Sequence, residues 1–168
     1  MAMRKKKKKK ELKFKFRSTE RFLRPDSRFG NMVVTKFINQ LMWDGKKTAA
    51  QKVFYNAMDY IAKKITDQEP LEVFLSAINN VKPMVEVRSK RVGGATYQVP
   101  MEVNRKRQQS LAIRTILKTT RSKSGKPMSV RLAEEFMAAY KREGASILWR
   151  ENTHKMAEAN KLFAHYAW

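Results

Sequence analysis

The chain has 168 residues, of which 42% are hydrophobic, and a formal net charge of +22. This length and apolar content predict one folded domain with a core of its own, and they exclude a chain that is disordered throughout. Cysteine is absent, which excludes disulfides and thiolate metal sites, and no apolar run reaches the length of a membrane span.

The positive charge is concentrated in two segments. Residues 1–28 hold 13 basic and 3 acidic side chains, and residues 84–131 hold 12 and 2, whereas 29–83 and 132–168 are close to balanced. Such charge opposes folding by self-repulsion unless a polyanion neutralises it, and nucleic acid is the commonest such partner. We therefore predict a basic N-terminal tail over 1–28, a helical domain over 29–168 and a nucleic-acid ligand.

The N-terminal tail contains Arg4 and six consecutive lysines, followed by a stretch in which apolar and basic residues alternate. A lysine run cannot form a core, so we expect the tail to bind a polyanion. The tail residues expected to contact nucleic acid are Lys5, Lys6, Lys7, Lys13, Lys15 and Arg17. Two alternatives are an organelle-targeting segment, which would be richer in serine, and a segment that binds a membrane surface.

Hydrophobic periodicity predicts three helices before residue 84. The first spans Met32–Trp43. The second follows Thr48, whose hydroxyl forms a capping box with Gln51. The third begins at Pro70, because proline suits the first turn of a helix, and it stops before Pro83. Apolar stripes on all three predict that these helices form the core.

Residues 84–103 are predicted to form a two-stranded β-hairpin. Apolar and polar side chains alternate along both halves, and Gly93 and Gly94 lie between them, where a tight turn requires positive φ. Valines near the base can pack on the core, but a two-stranded arm is marginal alone in water. Its outer half carries Arg88, Lys90 and Arg91, so we expect an acidic partner along the tip.

Three more helices are predicted after the hairpin. A basic run at 104–107 precedes the fourth helix, and a basic loop follows it at 122–127. The fifth runs from about Ser129 to Arg142, and the last begins near Ser146. The apolar stripe assigned to the last helix is Leu148, Met156, Ala159 and Phe163. The predicted fold class is mainly α, a single helical bundle domain of about six helices with a protruding two-stranded β-hairpin arm.

The sequence offers no convincing catalytic or metal-binding pattern. Gly45 to Thr48 is similar to the end of a phosphate-binding loop, but the earlier glycine is missing and a helix precedes it instead of a strand. His154 and His165 cannot complete a zinc site without further ligands. No nucleophile, base and orienting residue occur together. We therefore predict a protein that is not an enzyme and has no cofactor.

The predicted binding surface combines the hairpin, the fourth helix and the loop after it. Their cations form one patch if the fourth helix packs beside the hairpin base, and arginines there can stack on bases and bind phosphates. The assigned residues are Arg88, Lys90, Arg91, Arg105, Lys106, Arg107, Arg114, Lys118, Arg121, Lys123 and Lys126, with His154, Lys155, Tyr166 and Trp168 near the C-terminus. Alternatives are a solvated charged face and a DNA-architectural ribbon, for which only Val92 could be the inserted apolar wedge.

Several long motifs resemble those of one protein family. They are NMVVTKFINQLMWDGKKTAAQKVFYNA from Asn31, VEVRSKRVGGATYQVP from Val85, RQQSLAIR from Arg107 and HKMAEANKLFAHYAW from His154. Over about residues 24–168, in unbroken order, the chain resembles the bacterial-type small ribosomal subunit protein seven family. It departs from the family pattern in the lysine-rich extension before Arg24 and in Ala167, where the family more often has arginine.

The resemblance implies a helical bundle with a β-ribbon in the head of the small ribosomal subunit. Such proteins bind the 3′ major domain of small-subunit rRNA early in assembly and nucleate folding of the head. Their ribbon and C-terminal helix face exit-site tRNA and mRNA, next to small-subunit protein eleven and other head proteins. The implied location is the ribosome, in a bacterial cytoplasm or an organelle matrix, and neither a membrane nor DNA is an implied partner.

The matched motifs also imply roles for particular residues. The residues implied to contact rRNA are Lys36, Lys46, Lys47, Arg105 and Arg107. The residues implied to lie on the ribbon near tRNA and mRNA are Arg88, Lys90, Arg91, Gly93 and Gly94.

Overall fold

In a computed structural model, residues 22–166 are described, and they form a helical bundle with one antiparallel β-ribbon. The helices are α1 (Met32–Leu41), α2 (Lys47–Lys64), α3 (Pro70–Val81), α4 (Arg105–Ser122), α5 (Met128–Tyr140) and α6 (Ala145–Ala159), followed by a 3-10 helix (Lys161–Tyr166). The ribbon strands, between α3 and α4, are β1 (Val85–Val92) and β2 (Ala95–Glu102). The predicted fold class is confirmed.

The turn between α1 and α2 corrects two predictions. Helix α1 ends at Leu41, two residues before the predicted Trp43, and α2 begins at Lys47. Asp44 and Gly45 both have positive φ, and the Lys46 N–H donates to the Trp43 carbonyl across 2.9 Å. Because this tight turn ends at Lys46 and α2 begins at the next residue, Thr48 lies inside the first turn of α2. The predicted capping box at Thr48 is therefore wrong.

Four fully buried phenylalanines form the centre of the core. Phe37, Phe54, Phe74 and Phe136 come from α1, α2, α3 and α5, and their ring centroids are 5.1–6.4 Å apart. Most of the pairs meet edge to face, the arrangement that aromatic quadrupoles favour. The prediction that the first three helices contribute to the core is confirmed, and α4, α5 and Ile147 of α6 also contribute to it.

A buried carboxylate joins α5 to the start of α6. The Glu135 side chain is fully buried, and it accepts hydrogen bonds from the Ser146 N–H at 3.0 Å and from the Lys123 ammonium at 2.6 Å. Burial raises the pKa of Glu135, but the hydrogen bonds from Lys123 and Ser146 outweigh that effect and leave the pKa below its usual value. Gly144 has φ +93°, and a Cβ there would lie 3.1 Å from the Ala138 Cβ, so the corner between the helices requires glycine.

Glu135→Gln is expected to lower the free energy of unfolding by about 1.5–3 kcal/mol at pH 7, because hydrogen bonds to a charged group are lost. A lowered folded-state pKa gives stability that is complete above the ordinary pKa of glutamate and is lost as the pH falls through the folded-state value. The difference between wild type and variant should therefore shrink in acid, as measured by urea unfolding against pH. Glu134→Gln, at a partly exposed site, is the control and should show neither effect. A pH-independent difference would contradict the role of the Glu135 charge.

Helix α6 buries a different face from the predicted one. Leu148 and Met156, both assigned to its apolar stripe, are exposed. The residues buried on α6 are Ser146, Ile147, Thr153 and Ala157. The hydroxyls among them are satisfied internally, since Thr153 donates to the Trp149 carbonyl at 2.8 Å and Ser146 bonds to Glu135. This interface therefore combines Ile147 with small residues whose polar groups are satisfied, and a rule based only on large apolar side chains selects the wrong face.

The ribbon has the predicted strands and turn. Gly93 and Gly94 have φ +57° and +89°, and the register pairs Arg88 with Val99 and Lys90 with Tyr97. Residues that are directly opposite share a face, so the large apolar side chains of β2 lie on the same face as the cations Arg88 and Lys90 of β1. The buried Val99 anchors this face.

The C-terminal segment braces the ribbon. The Lys90 ammonium donates to the Tyr166 carbonyl at 2.8 Å, and the Tyr97 ring lies 5.3 Å from Phe163 and 5.2 Å from Tyr166 between centroids. At the base, the Met84 N–H donates to His154 Nε2 at 3.0 Å. Burial, assisted by the nearby Arg150 charge, lowers the pKa of His154, which favours the neutral ring that this bond requires. Part of the support expected from an outside partner thus comes from the chain itself.

Candidate nucleic-acid interface

A continuous groove runs between α1 and α4 and ends at the turn after α1. It consists of three adjoining cavities of about 300, 650 and 250 Å³, of which the first two share Gln40 and the last two share Arg121. We call it the α1–α4 groove. Its polar and charged lining residues are Lys36, Asn39, Gln40, Lys106, Gln109, Ser110, Arg114, Lys118, Arg121 and, at the end near the turn, Lys46.

Helical spacing places the cations of α4 along the groove. Arg114, Lys118 and Arg121 are four and three residues apart and therefore share one face, while Ile113 and Ile116 are buried. From Lys106 to Arg121 the helix rises about 22 Å at about 1.5 Å per residue, which is several nucleotides of an RNA backbone. None of the described residues that line the groove is acidic. The groove therefore suits a phosphate chain.

The start of α4 strengthens this attraction. The Asn104 side chain accepts from the Arg107 N–H at 3.0 Å and so caps the helix. The run at 104–107 was predicted to precede the helix, but it supplies this cap and the first turn. In the described chain, the first turn contains three cations and no acidic residue. The helix dipole repels cations at the N-terminus of a helix. An anion bound there is stabilised both by the dipole and by these cations.

Several cations assigned to the binding patch have partners within the protein. Glu86 pairs with Arg88 at 2.5 Å and with Arg107 at 3.3 Å, which links the hairpin base to the first turn of α4. Lys123 pairs with the buried Glu135, and Lys126 pairs with Glu134. Their charges are partly compensated, so they contribute less to the attraction than an uncompensated cation would. Their contacts with nucleic acid stay predictions.

The remaining predicted residues are spread over the surface. Arg91, Lys47, Arg105 and Lys155 are exposed, and within residues 22–166 no hydrogen bond or ion pair engages the Arg91 side chain. Gly93 and Gly94 form the ribbon tip, and His154 and Tyr166 hold the ribbon as described. The predicted contacts Lys5, Lys6, Lys7, Lys13, Lys15, Arg17 and Trp168 lie outside the described residues.

Sequence reasoning missed the uncharged lining of the groove. Asn39, Gln40 and Gln109 offer hydrogen-bond donors and acceptors between the cations, and Trp43 lies at one end of the groove. The available signal for Trp43 was an aromatic residue at the predicted end of the first helix, two residues before Gly45. Over the described range, no helix is long and apolar enough to cross a membrane, and no cluster of three or more potential metal ligands occurs.

Comparison with known proteins identifies the family. The ribosomal protein S7p/S5e family matches residues 13–161. The small ribosomal subunit protein uS7 of Rhodopirellula baltica is 59% identical over 144 residues, which cover 85% of this chain and 92% of that protein. The protein of the same name from Thermotoga maritima is 55% identical over 152 residues, covering 90% and 97%. The chain belongs to the ribosomal protein S7p/S5e family.

Membership of the S7p/S5e family confirms the predicted resemblance and the absence of an enzymatic role. The protein is a structural constituent of the small ribosomal subunit, and its location is the ribosome. The family match covers the ribbon and the residues that line the α1–α4 groove, and it ends at Lys161, the first residue of the 3-10 helix.

Proposed function

We propose that the protein binds the 3′ major domain of small-subunit rRNA through the α1–α4 groove and nucleates folding of the subunit head. The observation that carries this proposal is the groove itself, with Lys36, Lys106, Arg114, Lys118 and Arg121 along a path free of acidic lining residues in the described chain. Phosphate contacts from such cations supply most of the affinity for nucleic acid, while polar side chains between them can meet base edges or the 2′-hydroxyl.

The ribbon gives a second surface in this proposal. It carries Arg91 and the Gly93–Gly94 tip toward exit-site tRNA and mRNA, beside small-subunit protein eleven. The tip supports this placement, because glycines let a backbone approach another chain closely and the exposed Arg91 guanidinium can bind phosphate. The named relatives are bacterial, which favours a bacterial cytoplasm over an organelle matrix.

Competition binding tests the proposal. The full chain should bind a fragment of small-subunit rRNA that contains the 3′ major domain, and duplex DNA at equal phosphate concentration should displace it poorly. Groove contacts predict that the logarithm of affinity falls with the logarithm of salt concentration by about 0.7–0.9 per phosphate contact. Efficient displacement by duplex DNA would contradict RNA preference and support a DNA-architectural role instead. A 5′ domain rRNA fragment of similar length is the matched control for specificity.

A further inference from the structure

The end of the α1–α4 groove at the turn after α1 differs from the rest in having an exposed aromatic ring. Trp43 is 67% exposed, and the Arg121 guanidinium lies over its ring, 5.2 Å from the centroid. Arg121 is held there by donating to the Leu41 carbonyl at 3.2 Å. Trp43 itself sits in the tight turn closed by the Lys46 N–H. These contacts bring both groups together at this end of the groove.

The pocket around Trp43 combines apolar walls with cations. It has a volume of about 250 Å³ and is lined by Leu41, Met42, Trp43, Ala49, Ala50, Val53 and Met128, with Lys46 and Arg121 as its only charged lining residues in the described chain. Met42 and Val53 are half-buried and pack against the hydrophobic core. An isolated phosphate would make no favourable contact with the apolar walls, and an aliphatic protein side chain would make none with the cations. A nucleotide can interact with both, because its base is apolar on its faces and its phosphate is anionic.

We propose that this pocket holds one unpaired RNA base, stacked on Trp43, at the point where a strand leaves the groove. The inference rests on the proposed rRNA binding and adds a site for a single base. Unstacked bases in RNA are bound on aromatic rings and on arginine planes, and here the Trp43–Arg121 pair presents both. Lys46 is placed for the adjoining phosphate.

Trp43→Ala is expected to weaken binding of the full chain to the 3′ major domain rRNA fragment by about 5- to 100-fold, which is the value of one stacked base. The slope of affinity against salt should stay unchanged, since no phosphate contact is lost. Trp43→Phe should keep most of the affinity because it keeps a ring. Leu148→Ala, which removes another exposed apolar side chain, is the control and should bind like wild type. Circular dichroism verifies that each variant is folded.

A second readout reports directly on the ring. In a Trp149→Phe, Trp168→Phe background, Trp43 is the only tryptophan, and its fluorescence should be quenched by a single-stranded adenosine oligonucleotide but not by an abasic oligonucleotide of equal length. If wild type binds the rRNA fragment and Trp43→Ala binds it equally well, the base site is refuted while rRNA binding stands. Equal quenching by the abasic strand also refutes it. If wild type does not bind the fragment, the proposed function itself fails.

Discussion

Phe74→Ala is expected to reduce the free energy of unfolding by about 3–5 kcal/mol, the usual cost of removing a buried ring. Phe74 has no exposed surface, and its ring centroid lies 5.5 Å from Phe37, 5.2 Å from Phe54 and 5.1 Å from Phe136. Removal of this ring leaves a cavity that touches α1, α2 and α5 at once, so none of them can close it without moving away from another partner.

Urea unfolding followed by circular dichroism measures this loss. Leu162→Ala removes a large apolar side chain that is 82% exposed, and it should change the stability by less than about 0.5 kcal/mol. Phe74→Leu keeps part of the volume and should give an intermediate loss, which preserves a measurable transition if the alanine variant does not fold. Wild-type stability in Phe74→Ala would show that the four rings do not form the centre of the core.

The double change Arg114→Glu and Lys118→Glu is expected to weaken binding to the 3′ major domain fragment by at least about 100-fold. Each cation is exposed in the α1–α4 groove, and a charge-assisted hydrogen bond contributes about 1.5–3 kcal/mol, or roughly tenfold or more in affinity. The two new carboxylates also repel the strand. The salt dependence should decrease by about one unit of slope for each cation removed.

A filter-binding titration at several salt concentrations measures both effects. Lys52→Glu with Lys63→Glu makes the same change in net charge on exposed positions of α2, away from the groove lining, and is the matched control. If the control loses as much affinity as the groove variant, binding depends on overall charge and the groove is not the interface. Unchanged thermal unfolding in both doubles verifies that the fold is retained.

Local sequence patterns predicted most of the fold because they report local geometry. The third helix starts at Pro70 and ends before Pro83 as expected, since proline restricts the backbone wherever the chain places it. The two errors have different causes. Thr48 had the sequence of a capping box, but the tight turn at Asp44 starts the helix earlier. Leu148 was expected to face inward because of its size, yet the contacts of α6 with distant parts of the chain bury Ser146, Ile147, Thr153 and Ala157 instead.

The candidate site was predictable as a set of charges but not as a groove. Every groove cation was assigned to nucleic acid, because an excess of one sign along a segment is visible in the sequence. Which cations are engaged within the protein was not visible, because Arg107 and Glu86 are 21 residues apart and Lys123 and Glu135 are 12 apart. Only the folded chain brings these partners together, and the same folding brings Trp43 to Arg121.

The hydrogen bond from the Lys90 ammonium to the Tyr166 carbonyl joins residues that are 76 positions apart in the sequence. This hydrogen bond and the aromatic contact of Tyr97 with Phe163 hold the ribbon against the C-terminal segment. A ribbon held in this way binds its target in a preset orientation, so it loses little rotational entropy on binding. Substitutions near the C-terminus should consequently change the orientation of the ribbon tip, although the tip residues themselves are unaltered.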